Sequence, residues 1–182
     1  KLKYANERLQ KLGSGSARVV YKVDEEKVIK IAKNKKGIAQ NSVEAEEYLQ
    51  NYDIVAKVFE TDNDDFWIEM EWAKKVTPTR FKQITGIDIK KLWSYLFYDK
   101  SKGTQKMGLT EEEIEKIIDN NFVNSLLELI HDYDMVYPGD FDRLSSYGEV
   151  MRGGEPKIVL VDFGLTSSVF YDYYDKRQKS RF

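Results

Sequence analysis

The feature that most constrains this chain is the run Lys157-Ile158-Val159-Leu160-Val161-Asp162-Phe163-Gly164-Leu165. Its apolar stretch follows a Gly153-Gly154 turn and a second short strand, Gly148 to Met151, so the segment reads as a β-hairpin. An acid at the end of such a strand is presented to a cleft. Phe163 behind it can plug a core, and Gly164 lets the chain turn.

The first third of the chain also reads as strands. Leu9 to Leu12, Val19 to Val23 and Lys27 to Ala32 are separated by Gly-Ser and Asp-Glu-Glu turns. Ile38, Ala45, Leu49 and Tyr52 then share one face at helical spacing, which predicts a single helix from about 38 to 52. Val55 to Thr61 and Phe66 to Trp72 form a second hairpin around 62–65. From Asp88 the pattern turns helical, through Tyr98, and a polar loop follows from Ser101 to Gly108. Thr110 with Glu113 is a capping box, opening one helix predicted to run through Ile114, Phe122 and Leu129. The tail from Phe170 to Phe182 is rich in tyrosine and basic residues, and Phe170 and Tyr171 are expected to pack on the core.

Composition narrows the function. In 182 residues, Lys and Arg (29) nearly cancel Asp and Glu (31), so there is no broad cationic field for sequence-independent nucleic-acid binding. The absence of cysteine removes disulfides, thiolate metal sites and a cysteine nucleophile, and one histidine removes a multi-histidine centre. No apolar run spans a bilayer and no signal-peptide segment is visible, which leads to the expectation of a soluble, cytoplasmic protein without a membrane partner. His131, at a helix end, is expected to be structural.

Three further segments carry candidate chemistry. In Leu12-Gly13-Ser14-Gly15-Ser16-Ala17-Arg18-Val19-Val20, two glycines between strands permit close backbone approach to phosphate. In Lys27-Val28-Ile29-Lys30-Ile31-Ala32, strand alternation puts Val28 and Lys30 on one face, and a lysine on an apolar cleft face needs anionic partners. Lys33 competes for that role. Glu44, Glu46 and Glu47 are the available carboxylates; Glu47 points away from the predicted apolar stripe, Glu44 and Glu46 border it, and Glu44 is chosen. The loop Val136-Tyr137-Pro138-Gly139-Asp140-Phe141-Asp142-Arg143-Leu144-Ser145-Ser146 brings acids and hydroxyls ahead of the Asp162 hairpin.

In this order, the segments resemble the protein-kinase-like superfamily, in particular very small kinase-like proteins of bacteria and phages, over about residues 9 to 165. The resemblance implies an α+β, reduced bilobal protein-kinase-like fold: an antiparallel N-lobe sheet plus one helix (residues 1–73) and a mostly helical minimal C-lobe (residues 74–182). It implies ATP and magnesium as cofactors. Gly13, Ser14 and Gly15 would cradle phosphates, with Arg18 in place of the third glycine, and Val20 would pack on the adenine. Lys30, held by Glu44, would clamp phosphate. Met70 would be the gatekeeper, with the Glu71 carbonyl and the Ala73 N–H as adenine partners. Asp162 would hold the metal together with Ser145 (Ser146 or Asp142 after a small shift), and Asp140 would be the catalytic base, or Asp142 if the loop is re-registered. The sequence departs from the family pattern where Asp142 and Ser145 replace a lysine and an asparagine, and it has no Ala-Pro-Glu motif.

The functional expectation is therefore a phosphotransferase of the Ser/Thr protein-kinase type. The alternatives are a nucleotide-binding pseudokinase that engages a protein partner, or a kinase-fold enzyme that transfers AMP or phosphorylates a small molecule.

Overall fold

The computed structural model describes residues 2–100, 108–136 and 139–175. Residues 1, 101–107, 137–138 and 176–182, among them most of the polar stretch expected to be a loop, lie outside the described residues. The architecture is α+β. A short helix α1 (Leu2–Arg8) precedes β1 (Gln10–Ser14), β2 (Arg18–Lys22) and β3 (Lys27–Ala32); α2 (Lys35–Glu44) follows, then β4 (Val58–Thr61) and β5 (Trp67–Glu71). These strands form one antiparallel sheet in the order β1-β2-β3-β5-β4. After β6 (Lys74–Lys75) come α3 (Pro78–Thr85), α4 (Ile89–Lys100), α5 (Glu111–Ile118) and α6 (Asn121–Asp132). The hairpin β7 (Tyr147–Arg152) and β8 (Glu155–Leu160) pairs with β6 in a second, three-stranded sheet, and α7 (Ser167–Tyr173) ends the described chain. Among the described residues no helix is long and apolar enough to cross a membrane.

Period-2 alternation in β2 and β3 sorts the first sheet's faces. Val19, Tyr21, Ile29 and Ile31 join Ala5 of α1 and Trp67 in a small outer cluster. The other face packs Val28, Ile68 and Met70 into the main core, which continues through Leu92, Leu126, Leu129 and Phe163. Val20 and Lys30 are register partners on this inner face. An isolated parallel bridge joins Val55, ahead of β4, to Leu160 at the end of β8.

Several elements differ from the sequence reading. Helix α2 stops at Glu44, and Leu49–Asn51 form a separate 3-10 turn. The reason is a side-chain cap: Gln50 Nε2 donates to the Glu44 carbonyl at 2.9 Å, satisfying an acceptor that a continuing helix would use. The segment after the capping box is two helices. Asn120 starts α6, its side chain accepting from the Val123 N–H at 3.2 Å. Helix α3 was not expected, although Thr77 caps it, Pro78 occupies its first turn and Gly86 ends it at φ 79°. Tyr171 is exposed, while Phe170 packs edge-on to it and parallel to Tyr174.

Candidate functional site

A cleft of about 760 Å³ lies between the first sheet and the β7–β8 hairpin. Leu12, Val20, Val28 and Met70 supply an apolar wall along one side; Asp140, Arg143, Ser145 and Asp162 face it from the other. Of the residues expected from sequence, Gly13, Gly15, Val20, Lys30, Met70, Glu71, Ala73, Asp140, Ser145 and Asp162 all line this one cleft. Glu44 sits behind it, fully buried. Ser14 and Asp142 are not part of the lining. Ser14 Oγ accepts from Lys33 Nζ at 3.3 Å, and the Asp142 carboxylate lies 3.9 Å from Arg143 Nε.

The glycine turn connects β1 to β2, closed by the Gly15 N–H donating to the Arg18 carbonyl at 2.9 Å. A Cβ added at Gly13 or Gly15 would meet nothing within 4 Å, and neither residue has positive φ. Packing therefore does not require these glycines; they leave the backbone open toward the cleft. Lys33 and Lys36 brace the turn from outside, donating to the Gly15 carbonyl at 2.6 Å and to Ser16 Oγ at 2.8 Å. Lys33 thus does not take the cleft position.

Lys30 does. The residue is 5% exposed, and its Nζ donates to Glu44 Oε2 at 2.6 Å and to the Val161 carbonyl at 2.5 Å. Of the three glutamates left open by sequence, Glu46 and Glu47 are exposed and Glu44 is the one that faces Lys30. Glu44 Oε1 accepts from Arg18 Nη2 at 2.8 Å and from the Phe163 backbone N–H at 3.1 Å. Arg18 Nη2 also donates to Asp162 Oδ1, and its Nη1 donates to Asn41 Oδ1 at 3.3 Å. Asn41 is fixed in turn by donating to the Asp65 carbonyl at 2.9 Å.

Burial governs the electrostatics of this cluster. It would raise the Glu44 carboxyl pKa, but Arg18 and Lys30 outweigh it and hold the group at about 2. Burial pushes the Lys30 ammonium down, and Arg18 adds to that, against Glu44 and Asp162. For Arg18 burial also lowers, but Glu44 and Asp162 outweigh it and the guanidinium stays charged. Asp140 is pushed up by burial first and by Asp162 next, with Arg143, 3.3 Å away, opposing.

The adenine-side expectations fall at the cleft's inner edge. Met70 is almost fully buried in the apolar wall. The Glu71 side chain is committed elsewhere: its carboxylate pairs with Arg152 at 2.5 Å and accepts from the Lys57 N–H at 3.2 Å. Ala73 is held close to Gly148, where any Cβ would collide with the Ala73 methyl.

Sequence reasoning missed two features. Arg18 was seen as a replacement for a glycine, but its engagement with Glu44 and Asp162 spans separations of 26 and 144 residues that no local pattern reveals. Tyr174 and Phe170 also line the cleft, and Lys36 Nζ lies 4.8 Å from the Tyr174 ring centroid. The tyrosine-rich composition of the tail was the available signal.

The resemblance implies a magnesium ion at Asp162 and Ser145. Asp162, however, is engaged by Arg18, and among the described residues no group of three or more His, Cys, Asp or Glu side chains could hold a metal. With the Arg18 guanidinium on Oδ1, the Asp162 carboxylate does not present both oxygens to a divalent ion, and a cation already stands where that ion would bind.

No protein-family model matches the chain, and no curated protein matches it. Among solved structures it is similar to SAICAR synthase from Saccharomyces cerevisiae complexed with SAICAR: 14% identity, 85% of this chain and 73% of that one, TM-score 0.44. It is also similar to the ADP-bound aminoglycoside phosphotransferase APH(2'')-Ib, at 12% identity over 90% of this chain and 68% of that one, TM-score 0.37. The streptomycin-ATP-APH(2")-IIa ternary complex matches at 12% identity over 90% and 69%, also with a TM-score of 0.37.

Proposed function

We propose that the cleft binds ATP and that the protein is a phosphotransferase of the kinase-like kind, acting on a hydroxyl acceptor of the Ser/Thr protein type. The observation that carries this reading is the buried Lys30–Glu44 pair at 2.6 Å, set between the glycine turn and the Asp162-Phe163-Gly164 loop. A buried lysine–glutamate pair is costly to build for stability alone, so a cation aimed at a cleft with open backbone above it favours a phosphate ligand. In this reading residues 1–73 form one lobe and 74–182 the other, and the protein works in the cytoplasm.

The apolar wall of Leu12, Val20, Val28 and Met70 suits a purine, and Gly13 and Gly15 leave room for phosphate oxygens. Asp140 orients the acceptor hydroxyl. In the transfer the acceptor oxygen bonds to the γ-phosphorus, the bond from that phosphorus to the β-bridging oxygen breaks, and ADP leaves. Asp140 takes the hydroxyl proton, a role suited to a carboxyl whose pKa burial has raised.

A second reading, a nucleotide-binding module without turnover, is favoured by one observation: Arg18 Nη2 pairs with Oδ1 of Asp162. Incubation with ATP, read by thermal shift and by intact mass, separates the two. Stabilisation with a phosphate adduct on the chain or an added acceptor supports the phosphotransferase. Stabilisation without any adduct supports the module, and a nucleotide adduct would show that AMP is the transferred group.

A further inference from the structure

Arg18 begins β2, where its backbone pairs with Ala32 and its carbonyl closes the glycine turn. The side chain runs beneath that turn into the cleft wall and is 7% exposed. Two of its three acceptors are carboxylates, Glu44 and Asp162, and Asn41 is the third. A guanidinium has five N–H donors. The bonds to Glu44, Asp162 and Asn41 engage Nη1 and Nη2 and account for three of the five hydrogens, and the side chain lines the cleft.

The four charged side chains that meet around Arg18 balance without any ion. Arg18 and Lys30 stand against Glu44 and Asp162, each acid in contact with at least one of the cations. A divalent cation on Asp162 would add two positive charges next to a buried guanidinium that cannot lose its proton. Arg18 cannot easily withdraw, because Glu44 and Asn41 hold it independently of Asp162.

We propose that Arg18 is the resident cation of the cleft, standing at Asp162 in the place of a divalent ion, so that the phosphates of a nucleoside polyphosphate bind here without a metal. The inference rests on the nucleotide-binding reading above and specifies its ligand as the metal-free nucleotide. Arg18 and Lys30 then share the phosphate charge, with Arg18 held in place by Glu44 and Asn41.

The test is calorimetric titration of the full chain with ADP, in excess magnesium and in EDTA, for wild type, Arg18→Gln and Asp162→Asn. Wild-type affinity is expected to agree within about threefold between the two conditions. Arg18→Gln is expected to lose about tenfold or more in EDTA and to recover with magnesium, since Asp162 is then free. Asp162→Asn, which removes an acid beside the phosphates, is expected to bind in EDTA at least as tightly as wild type. That variant keeps the test decisive if Arg18→Gln fails to fold. Wild-type binding that needs magnesium, or loss of binding in Asp162→Asn, overturns the inference while leaving the nucleotide site in place. Absence of wild-type binding in both conditions overturns the nucleotide reading itself, and this inference with it.

Discussion

Glu44, the last residue of α2, accepts the backbone N–H of Phe163 at 3.1 Å, tying the helix end to the Asp-Phe-Gly turn. The same carboxylate holds Arg18 and Lys30, so one fully buried acid joins β2, β3, α2 and the segment after β8.

Loss of that charge leaves two buried cations facing each other. Glu44→Gln is expected to destabilise the fold by about 3–5 kcal/mol, measured by denaturant unfolding. A loss below about 1 kcal/mol would show that the cluster is well solvated.

The same residue sets an acid limit. Its pKa falls from an ordinary 4.5 to about 2 on folding, so its contribution is complete above about 4.5 and is lost as pH drops toward about 2. Stability followed across that window should decline with pH in wild type, and the decline should be shallower in Glu44→Gln. Parallel profiles would assign the acid sensitivity to other carboxylates.

Gly164 fits against α2 so closely that a Cβ there would strike the Gln40 backbone. Since backbone cannot swing aside, Gly164→Ala should cost about 1–3 kcal/mol and weaken nucleotide binding together with stability. Gly13 and Gly15 should behave oppositely, having open space where the Cβ would go. The double alanine variant is expected to change stability by less than about 0.5 kcal/mol while lowering nucleotide affinity about tenfold. Parallel effects at both sites would mean that the turn is structural only.

Arg152 links the two sheets, donating to the Asp53 carbonyl at 2.5 Å, the Val55 carbonyl at 2.8 Å and the Glu71 carboxylate at 2.5 Å. Arg152→Ala is expected to cost roughly 1.5–3 kcal/mol, read from the denaturation midpoint. An unchanged midpoint would show that these bonds contribute nothing to holding the second sheet against the first.

What was legible in the sequence was what period and turn chemistry encode. The alternation in β3, the Gly153-Gly154 turn and the Thr110–Glu113 capping box each act over a few residues. Helix α3 was legible too, through its cap Thr77, Pro78 in the first turn and Gly86 at its end. The end of α2 was not, because it is set by Gln50 reaching back to the Glu44 carbonyl while its own Oε1 accepts from Val58 N–H at 2.8 Å. Arg18 could be read as a cation near phosphate, but its commitment to Asp162 exists only once the hairpin β7–β8 docks under the first sheet.

The most direct test of the central claim is equilibrium binding of ATP to the intact chain, comparing wild type with Lys30→Met. The account predicts saturable binding of one ATP per chain, displaced by ADP and weakened about tenfold or more by the substitution. Equal affinity in the variant, or no saturation up to about 1 mM ATP, would contradict it.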